Sequence, residues 1–523
     1  MKIDFEQPYA SSRSPLCADN MVATSQPLAT QAGIHVLRKG GNAVDAAIAA
    51  AVTLTVVEPC SNGVGSDAFA IAAVDGQIHG LNASGRSPAA WSAERFRAQG
   101  EIPTYGWDAV TVPGAVSAWM ALSERFGVLP FADLFEDAIA LSEEGFLVGP
   151  ITARSWKAAF DRYAGFPAFV EHFGPAPSAG TRFKRPDLAA TLREIAESGG
   201  HSFYSGALAE RIAAASSAEG GAMTQGDLAN HRADWVETLK LDFLGHEVHE
   251  IPPNGQGLGA LIALGILRAF DLDLQCDTVD TYHYQIEAMK IGIQAAFDHV
   301  ADAEHLSRSP EELLDADVLA KAAATISGQA SDLPPVALPE SHGTVYLTAA
   351  DGHGNMVSFI QSNYMGFGSG VVIPGTGIAM QNRACGFTLD EGHPNEVGPR
   401  KRPYQTIIPG FVTRQGKPQI SFGIMGGHMQ HQGHVQLVHR VVGHGQNPQA
   451  AIDAPRWHVD PDFSISLEPH TAEHIVKGLL EKGHPVHVRR AGPRFGGAQM
   501  ILDTGDGYVG GSDSRKEGQA AGF

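Results

Sequence analysis

Ser341-His342-Gly343-Thr344-Val345-Tyr346-Leu347-Thr348 decides how this chain is read. After the threonine, Val345, Leu347 and Ala349 alternate with Tyr346, Thr348 and Ala350, the period of a half-buried strand. Asp351-Gly352-His353-Gly354-Asn355 makes a turn, and Met356 to Ser362 returns as a second strand. Upstream, Ser331 to Glu340 (SDLPPVALPE) is an acidic, proline-rich connector with no apolar period. A threonine thus heads a hairpin, directly after a glycine that exposes the preceding peptide bond. Cutting between Gly343 and Thr344 would leave the Thr344 hydroxyl beside its own α-amine. That amine has a pKa of roughly 7.7–8.0, so a useful fraction is neutral and able to take the hydroxyl proton. The competing reading is an ordinary strand threonine, because Gly-Thr pairs often open strands.

The neighbourhood narrows the choice. Gly343-Thr344-Val345-Tyr346, Phe367-Gly368-Ser369-Gly370, Gln381-Asn382-Arg383, Lys401-Arg402-Pro403, Gly426-Gly427 and Asp453-Ala454-Pro455-Arg456 follow in that order. The series resembles the γ-glutamyltransferase family, N-terminal-nucleophile (Ntn) hydrolases made as proenzymes that cut themselves before a catalytic threonine. The resemblance also covers the earlier half and so spans nearly the whole chain. It implies an α+β fold, the four-layer αββα Ntn-hydrolase sandwich. That core would be shared by a large piece, residues 1–343, and a small piece, residues 344–523. The two pieces of one chain would be each other's partners, with further dimerisation left open, and no cofactor is implied.

Composition sets the outer bounds. The chain has 523 residues, 43% hydrophobic and 18% charged, which suits a globular protein with a large core. Its 37 basic against 57 acidic residues give a formal charge of −20. That balance argues against binding nucleic acid or an anionic membrane through bulk electrostatics. Four scattered cysteines (Cys17, Cys60, Cys276, Cys385) show no CxxC spacing, so neither a disulfide framework nor a zinc knuckle is expected. The stretch MKIDFEQPYASSRSP has no apolar segment of the signal-peptide kind, and the alanine-rich run Ala46 to Val57 is too short to span a bilayer. The expectation is a cytoplasmic protein.

Along the chain, Met21 to Pro27 reads as a strand and turn into a helix, Leu28 to Lys39, closed by Gly40-Gly41. Asn42 caps a second helix, Ala43 to Leu54, with Asp45 in its first turn. Glu58 to Asp67 is a Gly-rich loop before a strand, Ala68 to Val74. It follows a helix and enters a strand, the reverse of a phosphate-binding loop, and lacks a Gly-Lys-Ser/Thr ending. The resemblance gives it a supporting place near the active site. Residues 150–240 read as mainly helical, Asp242 to Ile251 as one strand, and Leu258 to Phe270 and Asp280 to Ala301 as helices.

Carried residue by residue, the resemblance makes Thr344 the nucleophile and puts Ser362 where the family has a threonine that hydrogen-bonds it. It makes Gly426-Gly427 the oxyanion donors, and two N–H groups at a helix start suit that task. His428, His431 and His434 share a helical face, but zinc helices prefer i, i+4 pairs with an acid alongside. No metal is expected there, and surface or helix-terminal histidines are the favoured reading.

The donor site departs from the family. Gly386 stands where an aspartate normally holds the γ-glutamyl amine, and Arg383 replaces another amine contact. Tyr364 replaces an asparagine, and Gln405 and Thr406 replace two hydroxyl residues that contact the donor carboxylate. The family arginine for that carboxylate falls on Ser84, with Arg86 two further on. Carboxylate has been lost and guanidinium gained. The expected enzyme forms an acyl-enzyme from a side-chain amide, which water or an amine resolves. Its small-molecule donor would be a γ-glutamyl compound such as glutathione. The alternative is a glutaryl-type, cephalosporin acylase-like amidohydrolase. From another class, the alternative is an uncleaved, catalytically silent binding protein.

Overall fold

The computed structural model describes residues 3, 5, 12–270, 272, 276–333, 336, 343–490 and 492–523. Ser341, His342 and most of the connector read over 331–340 lie outside the described residues, as does most of the stretch before residue 12.

Fourteen strands build the core, in chain order β1 (Leu16–Ala18), β2 (Met21–Thr24), β3 (Asp67–Val74), β4 (Gln77–Asn82), β5 (Asp234–Val236), β6 (Leu239–Phe243) and β7 (His246–Glu250). After residue 343 come β8 (Val345–Ala350), β9 (Met356–Ser362), β10 (Gly410–Arg414), β11 (Lys417–Met425), β12 (Gly497–Asp503), β13 (Tyr508–Ser512) and β14 (Gln519–Gly522). One sheet runs β14-β2-β8-β9-β3-β4-β5 and the other β1-β13-β12-β11-β10-β7-β6. The ladders within both are antiparallel. Each sheet therefore mixes strands from before and after Thr344.

The β8–β9 hairpin falls where the alternation puts it, with Val345 opposite Gln361 and Ala350 opposite Met356. Its burial differs from expectation: β8 is buried on both faces, not one. Val345, Leu347 and Ala349 join the cluster under the helices, while Tyr346 and Ala350 join the cluster between the sheets. The polar members of the second face are satisfied there. The Tyr346 hydroxyl meets Ser358 Oγ at 2.8 Å, and Thr348 Oγ1 meets Ser421 Oγ of the other sheet at 2.7 Å. Gly423 makes the close approach possible, since a Cβ on it would lie 2.4 Å from the Tyr346 ring.

Helices α1 (Pro27–Arg38) and α2 (Ala43–Val57) cover the first sheet. Asn42 and Asp45 form a reciprocal capping box at the start of α2, all of whose residues are buried. Helices α3 (Gly257–Leu267), α4 (Val279–His299) and α5 (Met429–Val438) cover the second. Helix, sheet, sheet and helix make the αββα sandwich.

Two sequence readings need correction. Asp242 to Ile251 is not one strand but parts of β6 and β7, joined at Leu244 and Gly245 with φ of 55° and 77°. The two-residue turn shifts the phase of the alternation, because Phe243 pairs with His246 and Leu241 with Val248, so odd positions of β6 share a face with even positions of β7. The segment 150–240 is mainly helical but ends in strand β5 and the first residues of β6. No described helix is long and apolar enough to cross a membrane.

Candidate active site

Thr344 lies just before β8, at the middle of the first sheet, and is 3% exposed. Its hydroxyl donates to Ser362 Oγ at 3.1 Å. Ser362 ends β9, donates to the Gly343 carbonyl oxygen at 2.6 Å, and accepts from the Tyr364 N–H at 2.8 Å. One serine thus connects the threonine hydroxyl to the carbonyl of the peptide bond that precedes that threonine. The bond is held in place by a tight approach: a Cβ on Gly343 would lie 2.4 Å from the Gly366 nitrogen. Tyr364 takes φ +76°, costly for a side chain of its size and typical of a functional site.

Gly426 and Gly427 connect β11 to α5, with φ of 122° and 59°. Their carbonyls accept from Met429 N (3.0 Å) and Gln430 N (3.1 Å), starting the helix. Neither of their own N–H groups makes a hydrogen bond among the described residues. Gln256 braces the junction by donating to the Gly427 and Thr406 carbonyls.

Beside Tyr364 opens a cavity of about 340 Å³ whose walls include Arg383, Gly386, Tyr404, Thr406 and His428. Val336, the described residue within the connector's second half, also lines it. Arg383 is 1% exposed, and its guanidinium stacks 5.0 Å from the Tyr364 ring. Nη1 donates to Thr406 Oγ1 at 3.0 Å, while Nε and Nη2 have no partner among the described residues. Burial pulls its pKa down to about 10, against the opposing charge of Asp67. Asp67 is buried too, and burial pushes its carboxyl up to about 6 even though Arg383 and two hydrogen bonds oppose the shift. Those bonds come from Gly85 N (3.0 Å) and Gln405 Nε2 (2.8 Å). Asp67 pairs with Ser362 across β3 and β9, so the acid sits one strand from the serine that bonds Thr344.

Other expected residues fall elsewhere. Gln405 turns away from the cavity toward Asp67. Arg86 is a third exposed, stands 3.6 Å from Asp234, and does not line the cavity. Ser84 is buried in a network with Asn82 and Asn254. Gly386 is enforced by space, since a Cβ there would lie 2.3 Å from the Tyr404 carbonyl oxygen, so an aspartate cannot simply be put back.

Of the expected surface or helix-terminal histidines, His428 is helix-terminal, and none of the three is on the surface. His428, at the N-cap of α5, is 7% exposed, and His431 and His434 are fully buried. His431 Nδ1 donates to Gln256 Oε1 and His434 Nδ1 to Glu250 Oε1, both at 2.5 Å. They do not converge on a metal. Among the described residues only His283, Glu287 and His484 lie close enough for that, and there the Lys290 ammonium already pairs with Glu287 at 2.8 Å. Asp67 and His428 are the site residues that sequence reasoning missed. Asp67 closes a Gly-rich loop, and only the pairing of β3 with β9 brings it to Ser362.

Comparison with known proteins finds relatives along nearly the whole chain. The family model described as gamma-glutamyltranspeptidase matches residues 29–523. A glutathione hydrolase-like proenzyme, YwrD, of Bacillus subtilis (strain 168) is 35% identical over 98% of this chain and 100% of its own length. An oxamate amidohydrolase proenzyme of Klebsiella pneumoniae is also 35% identical, over 98% of this chain and 99% of its own. Among solved structures, a cephalosporin acylase from Bacillus halodurans superposes with a TM-score of 0.96 at 47% identity, over 100% of this chain and 99% of that one.

Proposed function

The chain belongs to the gamma-glutamyltranspeptidase family of self-processing, amide-hydrolysing Ntn enzymes, and on that premise we propose that Thr344 is its nucleophile and that its donors carry a free carboxylate. Processing comes first. The Thr344 hydroxyl attacks the Gly343 carbonyl carbon, and the Ser362 hydroxyl, already donating to that carbonyl oxygen, stabilises the charge that develops. The Gly343–Thr344 C–N bond breaks as an ester forms, and the proton lost by the hydroxyl ends on the freed α-amine. Water hydrolyses the ester and leaves residues 1–343 and 344–523 as separate pieces.

The freed α-amine then serves as base. It takes the Thr344 proton as the oxygen adds to the substrate carbonyl, and the N–H groups of Gly426 and Gly427 receive the oxyanion. The proton passes to the leaving nitrogen, the substrate C–N bond breaks, and an acyl ester remains on Thr344. Water, activated by the same amine, releases the acid. An amine in place of water would give transfer.

The donor reading rests on Arg383. A buried guanidinium on a cavity wall, with Nε and Nη2 unpartnered among the described residues, is a fork for a carboxylate. A γ-glutamyl ammonium would instead meet a positive charge, with Gly386 offering no acid. An unpaired buried charge costs several kcal/mol. An amidohydrolase and an acylase among the relatives point the same way. The γ-glutamyl donor stays as a second reading because two exposed acids, Asp298 and Asp390, also line the cavity.

The test has two parts. Wild-type protein should yield a fragment beginning at Thr344 on N-terminal sequencing, and Thr344→Ala should stay one chain. Processed enzyme should hydrolyse glutaryl-p-nitroanilide at least as fast as the γ-glutamyl analogue, and Arg383→Met should lower kcat/KM for the glutaryl compound by about 10²-fold. A clear preference for the γ-glutamyl compound would establish the second reading.

A further inference from the structure

The same cavity has a second polar wall that the chemistry above does not use. His428 follows the Gly426-Gly427 pair directly, and its ring lies 5.8 Å from Phe297 and 6.1 Å from Tyr404. It lines the cavity, is more than nine-tenths buried, and neither ring nitrogen has a partner among the described residues. Burial, helped by the charges of His458 and Arg383, pulls its pKa down to about 3, so the imidazole is neutral at any working pH. Gln294 on α4 lines the same cavity. Its Nε2 is committed to Asp298 Oδ1 at 3.0 Å, and its buried Oε1 is without a partner among the described residues.

Buried polar atoms are nearly always hydrogen-bonded. A neutral imidazole offers one N–H and one lone pair, and an amide oxygen offers lone pairs only. Together they present one donor and two acceptors, none charged. A secondary amide complements that set, with its N–H toward an acceptor and its carbonyl toward the imidazole N–H. An ammonium does not, because it would bring charge into a wall that already holds Arg383.

Resting on the carboxylate reading of Arg383, we propose that His428 and Gln294 form a second subsite that takes an uncharged amide substituent on the acyl donor. The donor class is then a dicarboxylic monoamide whose α-nitrogen is acylated, an N-acyl-γ-glutamyl amide. It meets the enzyme at two points, its carboxylate on Arg383 and its N-acyl amide on His428 and Gln294.

Binding of product acids to processed enzyme tests this without relying on turnover. In titration calorimetry, N-acetyl-L-glutamate should bind at least about tenfold tighter than either glutarate or L-glutamate. His428→Phe, which keeps the aromatic packing and removes both nitrogens, should shrink the N-acetyl advantage over glutarate to less than about threefold. His428→Gln, which keeps a donor and an acceptor, should restore part of it. The kcat/KM ratio of N-acetyl-γ-glutamyl to glutaryl p-nitroanilide should follow the same order. An N-acetyl advantage that is absent in wild type, or unchanged in both variants, overturns the subsite. If Arg383→Met leaves glutarate affinity as in wild type, the carboxylate reading falls instead, so the two failures are told apart.

Discussion

Asp67 ties together three parts of the site that sequence alone kept separate. It balances Arg383, anchors Gln405, and pairs across the sheet with Ser362. Its carboxyl, raised to about 6, takes up a proton as pH falls through that value, earlier than an ordinary aspartate would. Below about pH 6 the guanidinium loses its internal counter-charge and attracts a substrate carboxylate more strongly. KM for glutaryl-p-nitroanilide is therefore expected to fall between about pH 7.5 and 5.5. Over the same window kcat falls too, because the α-amine of Thr344, at roughly 7.7–8.0, becomes protonated and stops acting as base. Asp67→Asn should flatten the KM profile and leave the kcat profile in place. Its amide can still accept from Gly85, and Gln405, whose Oε1 has no partner among the described residues, can turn to receive the new N–H. A KM that rises on acidification would dismiss this role. The Thr344–Ser362 hydrogen bond could be expected from an ungapped count along the β8–β9 hairpin, and the position of Arg383 from the Gln381-Asn382-Arg383 motif. The places of Asp67 beside Ser362 and of His428 on the cavity wall could not, because strand pairing and packing between elements distant in sequence bring them there.

At the scale of elements, the decisive junction is β11 to α5. The strand ends at Met425, two glycines turn with positive φ, and the helix begins at Met429. Valine at 427 would have to hold φ near +59°, a genuine outlier for a β-branched residue, so it re-aims the N–H groups even where the fold survives. Gly427→Val should lower kcat by about 10²-fold or more and alter glutarate binding much less. A folded variant with ordinary kcat would remove these donors from the mechanism. Elements with a clear period, such as β8, β9 and α2, were readable from sequence. The β6–β7 hairpin was not, since its Leu244-Gly245 turn lacks the Asn-Gly or Asp-Gly pair that marks a two-residue hairpin. The burial of β8 on both faces was also hidden, because Tyr346 and Thr348 look like solvent-facing residues until the second sheet supplies Ser421 and Gly423.

For the whole molecule, strands from before and after Thr344 interleave in both sheets: β8 and β9 lie between β2 and β3, while β10 to β13 lie between β1 and β7. Neither piece has a sheet of its own to fold on. While the chain is continuous, each piece meets the other at the high effective concentration that a covalent tether provides. Once it is cut, the same meeting is bimolecular. After complete unfolding in guanidinium and dilution to low micromolar protein, Thr344→Ala should regain native circular dichroism in a yield independent of concentration. The cut enzyme should recover less, by at least about fivefold, and better at higher concentration. Equal recovery would mean that the pieces carry their own folding information. The interleaving thus gives the molecule a direction in time. It assembles efficiently from an intact chain, and thereafter its working life is set more by how slowly it comes apart than by how well it re-forms. At low concentration most processed molecules that unfold are then expected to need replacement by new synthesis.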